Sequence, residues 1–236
     1  MMRFLKIIVV VLFLSSCSTE EDEIILTLEL DEYDLEVISY FKEIALGFEF
    51  GSSSKITRKW CSDLKVYIGG ESNSILTEEL DKIITEISSL TTDNFNIDVV
   101  SDSSLSNYYI FFGNGDDYAE LFPNSASYVQ SNWGLFSLWY NSSNCLNRGH
   151  MYVDTYRTNV TQAMHLLREE FTQSLGLARD SDKYLSSIFQ SSWTETLSYT
   201  DLDKDLIRLL YHPKMSTGLD ANAVDGVLSE ILLSEK

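Results

Sequence analysis

The sequence predicts an α+β domain, with a mixed sheet completed before the long helix that carries its most unusual motif. Three observations lead there. Strand-length alternating runs fall between residues 64 and 155, L-K-V-Y-I-G-G (64–70) being the clearest. A long amphipathic stretch follows at about 160–177. Beyond it only helical periodicity and loops remain. This order of helix, strand, helix, several strands, long helix and helical tail segregates the elements as α+β proteins do.

The first helix is expected over 34–46, where Leu35, Ile38, Phe41, Ala45 and Leu46 recur at helical spacing. Lys59-Trp60 leads into the strand at 64–70, closed by two glycines. Residues 77–90 form an amphipathic helix, with Leu80, Ile83, Ile84, Ile87 and Leu90 on one face and Thr77 as N-cap. Strands are expected at 95–100, 108–112, 134–140 and 150–155. The run F-G-N-G-D-D (112–117) lacks the lysine and helix context of a phosphate cradle and reads as a turn. The helix at 160–177 is stopped by Gly176. Helices at 202–211 and 222–233 complete the tail. D-L-D-K-D (201–205) sets acids at a helix N-terminus; Leu206 stands where a calcium loop needs glycine.

The chain begins M-M-R-F-L-K and continues with an apolar run from Ile7 to Leu14. Basic residues before a short apolar stretch form a secretory signal, too short to span a membrane. Leu14-Ser15-Ser16-Cys17 resembles the lipobox of bacterial lipoproteins, which implies cleavage before Cys17 and acylation of its thiol. Residues 1–16 are therefore expected to be the signal and 17–33 a lipidated cysteine with an acidic tether. Residues 34–236 are expected to form one domain, its C-terminal part (178–236) helical. S-T-E-E-D-E after Cys17 is too polar to offset the entropy of ordering. Such a tether also resembles those of outer-membrane lipoproteins, so the expected address is the bacterial envelope, periplasmic or surface-facing.

Charge narrows the partners. The chain carries 17 Lys+Arg against 36 Asp+Glu, and removal of Arg3 and Lys6 with the signal makes it more negative still. That field repels phosphate backbones and anionic headgroups, which excludes nucleic acid and leaves membrane attachment to the lipid on Cys17. Cys61 and Cys145 are either one disulfide, favoured by an oxidising compartment, or two buried thiols. Neither has a second Cys or His at zinc-ligand spacing.

The unusual motif is R-E-E-F-T-Q-S-L-G-L (168–177). On one helix His165, Glu169 and Gln173 share a face, and Glu170 projects about 100° from Glu169. The spacing is that of H-E-x-x-H-x-x-G-x-x-H, in which helical histidines grip zinc and the acid works on bound water. Aligned without a gap, Glu169, Gln173 and Arg179 stand at the three ligand positions, Glu170 at the acid and Gly176 at the turn. Met215, in L-Y-H-P-K-M-S-T-G (210–218), stands where a Met-turn methionine sits, and Tyr152-Val153-Asp154 resembles the substrate-binding edge strand.

Together with Asp180-Ser181-Asp182 and Ser187-Ile188-Phe189, these residues resemble an uncharacterised family of bacterial zincin-like lipoproteins with E-E-x-T-Q-x-L-G-L in place of the zinc motif. The resemblance spans roughly residues 55–220. It implies a zincin-like fold: a twisted mixed sheet packed on the active-site-type helix, followed by a small helical C-terminal subdomain.

The departures decide the chemistry. Gln173 offers a neutral amide and Arg179 a permanent cation, so neither replaces a zinc ligand. No metal or other cofactor is expected. Three readings follow. Glu169, Gln173 and Arg179 form a hydrogen-bonded network, structural or shaped for a polar ligand, peptide or glycan. Alternatively Glu169, Glu170 and Asp180 work as paired acids. In the third, His165, Glu169 and His212 gather a shifted metal. The expected function is a non-zinc binding or scaffolding lipoprotein; the alternative is a peptide- or glycan-cleaving hydrolase with Glu170 as general base. The aromatic run W-G-L-F-S-L-W-Y (133–140) is a core strand or a sugar platform. His150 has no charged partner nearby in sequence other than Arg148.

Overall fold

A computed structural model describes residues 28–49, 53–71 and 73–236; the expected signal and Cys17 lie outside them. Helix α1 (Glu32–Ala45) begins inside the stretch expected to be tether, because Asp31 and Asp34 close a reciprocal capping box there. Its buried face is Val37, Ile38, Tyr40, Phe41, Ile44 and Ala45. Leu35, expected on that face, is exposed, since about 100° per residue puts it opposite Ile44.

Strands β1 (Lys59–Trp60) and β2 (Leu64–Gly70) follow, then helix α2 (Ser74–Leu90). Helix α2 starts before the expected Thr77 because Asn73 is the cap, its side chain accepting the Leu76 N–H. Thr77 instead turns its hydroxyl back to the Asn73 carbonyl. Strands β3 (Ile97–Val99) and β4 (Tyr108–Gly113) come next. The segment read as a turn then becomes helix α3 (Gly115–Leu121): Asn114 caps it, and Asp116 and Asp117 sit at its positive end. Strand β5 (Gly134–Tyr140) is followed by β6 (Cys145–Asp154), which starts five residues before the expected position. Helix α4 (Val160–Gln173) has Asn159 and Gln162 in a capping box, and α5 (Asp201–Leu210) has Thr200 and Asp203 in another. Helix α6 (Ala221–Ser234) closes the chain.

The sheet runs β1-β6-β4-β2-β3, all parallel, with β5 antiparallel on β6. Tyr152-Val153-Asp154, expected to be an edge strand, is therefore interior, paired with β4 on one side and β5 on the other. Alternation along the strands sorts side chains to two faces. Tyr108, Ile110, Phe112, Met151 and Val153 enter the main core, where Leu80, Ile83 and Ile87 of α2 and Leu167 and Phe171 of α4 meet them. Phe111 and Tyr152 point the other way, into a smaller cluster with Tyr118 of α3 and Val129. Both faces are covered, as a parallel sheet requires.

Two clamps hold this arrangement. Cys61 and Cys145 form a disulfide with Cα atoms 5.4 Å apart, fastening the end of β1 to the start of β6. A loop of that length restrains the unfolded chain by about 4–5 kcal/mol in the chain-entropy model. Arg168 of α4 is buried and reaches α2, with Nη2 2.8 Å from Glu79 Oε1 and Nη1 2.6 Å from Glu86 Oε2. Its guanidinium also lies 4.8 Å from the Tyr199 ring centre.

Candidate functional site

Helix α4 ends at Gln173, not at Leu177. Ser174 caps it, and Gly176 turns the chain with φ +117°, in the left-handed region. A Cβ at Gly176 would also run into the Arg58 carbonyl oxygen, so the turn needs glycine for conformation and for close approach.

The turn brings together a different set of residues from the expected one. Gln173 donates its amide N–H to Asp180 Oδ1, so Asp180 and not Arg179 returns to the motif helix. Arg179 is turned away, its Nη1 3.2 Å from the Glu43 carbonyl oxygen, and the expected Glu169–Gln173–Arg179 network is absent. Glu169 pairs with His165 one turn earlier, Oε2 to Nε2 3.3 Å. His212 keeps company with Lys214, whose backbone N–H it accepts at 3.1 Å, and does not join His165 and Glu169. Met215 is buried in the main core, to which Leu167 and Phe171 of the motif helix also belong.

Electrostatics marks Glu170. Burial pushes its carboxyl well above the usual carboxylate range, and the charges of Glu169, Asp180 and Glu49 add to the push. Its neighbours share the strain: Asp180 is pushed up to about 7 by burial first, then by Glu49 and Glu169. Burial and the charge of Glu169 raise Glu49 as well. For His165 burial opposes the charged form, but the hydrogen bond and charge of Glu169 outweigh it and hold the imidazole above its ordinary value. Three carboxyls at this end of α4, those of Glu170, Asp180 and Glu49, are thus pushed toward keeping their protons.

Glu169 and Glu170 open on a cleft of about 530 Å³ between the start of β5 and the segment at 190–193. Gly134 makes room there, since a Cβ in its place would sit 2.9 Å from Glu170 Oε1. The walls combine residues the sequence had singled out, His165 and Ser181, with others it left without a role, Arg157 and Gln190. On the β5 side Arg157, ion-paired to Asp154 at 2.7 Å, donates Nη2 to the Val129 and Asn132 carbonyls and fixes the approach to Trp133. On the other side His165 Nδ1 lies 2.8 Å from the Thr196 carbonyl. Ser181, in the D-S-D motif, pairs with the chain after S-I-F: its N–H donates to the Phe189 carbonyl and its carbonyl accepts from Ser191. That pairing places Gln190 on the cleft, beside Trp193. Of the aromatic run, only Trp133 faces this space. Trp139 instead lines a second hollow with His150, which burial pushes down to about 4.

A family model matches residues 34–230. The chain belongs to the family described as protein of unknown function (DUF2927). No curated protein matches it. Two solved structures of myroilysin are similar. One has 13% identity and a TM-score of 0.41, covering 65% of this chain and 95% of its own. The other has 14% identity and a TM-score of 0.30, covering 81% and 78%.

The zinc that the motif spacing brings to mind does not fit this DUF2927 site. Of the residues at the three ligand positions, Glu169 is occupied with His165, Gln173 presents its N–H to Asp180, and Arg179 faces elsewhere. Among the described residues no group of three or more His, Cys, Asp or Glu is arranged to hold a metal ion.

Proposed function

We propose that this DUF2927 protein is a lipid-anchored, extracytoplasmic binding protein, a zincin-like domain whose rewritten site takes a polar ligand without catalytic zinc. The observation that carries the reading is the engagement of the motif residues with one another: Gln173 with Asp180, and Glu169 with His165. A hydrogen-bonded, partly protonated set of that kind is a recognition surface for polar groups, and it offers a cation only a neutral amide and one paired carboxylate. Its test is metal content, developed at the close of the Discussion.

A second reading, hydrolysis through Glu170, is favoured by one observation. Glu170 lines the cleft, and burial raises its carboxyl well above the usual carboxylate range, the direction a general acid needs. Both carboxylates on the cleft, however, come from the same helix, and no further carboxylate is among the residues lining it. Paired-acid chemistry needs carboxyls on opposite sides of the bond, so binding is the better account.

The address rests on Cys17 and the segment before it. Among the described residues no helix is long and apolar enough to cross a membrane. Mass spectrometry of membrane-extracted protein is expected to show an acylated cysteine at the mature N-terminus, and Cys17→Ala to leave the precursor uncut. A soluble product cleaved elsewhere would overturn the anchor and the outer-membrane address together. The strongly acidic composition argues against nucleic-acid partners.

A further inference from the structure

We propose that the ligand of this cleft is a glycan, an uncharged chain of N-acetylated hexosamines, held by Gln190, Trp133 and Trp193. The inference rests on the binding reading above and names its ligand class.

Gln190 is the starting point. It is 3% exposed and lines the cleft. Its Oε1 accepts the Ser192 N–H at 3.0 Å and the Ser191 hydroxyl at 3.3 Å, which fixes the orientation of the amide. Its Nε2 is buried and has no protein partner. A buried donor without an acceptor is costly and uncommon, so the amide gains by turning this N–H into the cleft when a ligand there brings an acceptor. The best acceptor a neutral sugar can offer is the carbonyl oxygen of an acetamido group, stronger than a hydroxyl.

The tryptophans supply the second, independent observation. Trp133 and Trp193 are 37% and 52% exposed, with ring centres 5.5 Å apart and planes inclined at 73°. Two large rings held beside a polar floor provide apolar faces for the C–H side of a pyranose while its hydroxyls meet amides. Asn132, Gln162, Ser191 and Ser192 supply such partners, and Leu166 is the one aliphatic side chain in the lining. A peptide would find no apolar pocket for its side chains. The strongly acidic composition of the chain disfavours anionic sugars, which leaves neutral ones.

Calorimetric titration of the full-length protein in detergent tests this, with N-acetylchitotetraose, cellotetraose and tetra-alanine as probes. We expect the N-acetylated tetramer to bind once per chain and to perturb tryptophan fluorescence, cellotetraose to bind at least tenfold more weakly, and the peptide not to bind. Gln190→Glu keeps the acceptor for Ser192 and removes the donor, so it is expected to weaken N-acetylchitotetraose at least tenfold, with circular dichroism showing that the variant is folded. Trp193→Ala, on an exposed ring, is a second variant should that one fail to fold, with the same loss expected. Equal affinity for the two sugars, or sugar affinity untouched by either variant, overturns the assignment, as does failure of all three probes. Tetra-alanine binding alone overturns the glycan while leaving a metal-free binding cleft. A stoichiometric transition metal would instead remove the reading on which the glycan rests.

Discussion

Arg168→Ala is expected to destabilise the protein by about 3–5 kcal/mol, because it strands a buried charge. Arg168 and Glu79 have side chains only 2% and 4% exposed, and their ion pair is 2.8 Å long. The pair gains little net stability against its own desolvation, yet removing Arg168 leaves the buried Glu79 with only the longer contact to Lys82, 3.4 Å away and largely in water. Glu86 contributes less, since 46% of its side chain is in water. The double variant Arg168→Met with Glu79→Met should recover most of the loss, as an apolar pair of similar volume has no charge to desolvate. Urea unfolding at constant pH measures all three. A loss below about 1 kcal/mol for Arg168→Ala would show that Glu79 finds water or a proton and that the clamp between α2 and α4 is not needed.

Stability is expected to fall as pH rises from 6 to 8, the reverse of a protein that denatures as its acids lose charge. Asp180 and Glu170 have folded values raised above those of the unfolded chain, so between the two values the native state binds more protons and stability drops with pH. His165, also raised, keeps its proton longer in the native state and loses its contribution just above the ordinary histidine range. His150 works in the opposite sense, being depressed to about 4, but its effect is confined to pH below the unfolded value of about 6.5. The three descending contributions therefore meet without opposition between about pH 6.5 and 8. Thermal midpoints across that range read the slope, and Asp180→Asn should flatten it by removing the group that titrates near 7. A midpoint that rises from pH 6 to 8 would show the carboxylates of this cluster ionised and satisfied.

How much of this was legible in the sequence depends on where the signal was local. The strand at 64–70 and the motif helix were visible because periodicity is a property of a short segment. Helix α3 was not, since its glycines suggest a turn and only the Asn114 cap distinguishes it. The first half of β6 was missed because C-L-N-R-G is polar, and it is pairing with β1 and β5 that makes it a strand. The exchange of Arg179 for Asp180 has the same origin. Alignment by spacing counts residues, whereas the turn at Gly176 decides which one comes back to Gln173. S-I-F was noticed as a motif, but its effect, setting Gln190 against Ser181 and into the cleft, arises from contacts between chain segments. Nothing local marked Trp133 and Trp193 as facing one another.

The central claim is that the motif residues are engaged with neighbours in this chain, Gln173 with Asp180 and Glu169 with His165, and hold no catalytic metal. Elemental analysis of protein purified from membranes without chelator, repeated after incubation with equimolar zinc and desalting, measures it directly. The account predicts less than about one tenth of a metal ion per chain in both samples, because Gln173 offers a neutral amide and Glu169 is already paired with His165. One tightly held transition metal per chain, lost on chelation together with a hydrolytic activity that Glu170→Gln abolishes, would contradict it and make this protein a metal-dependent hydrolase.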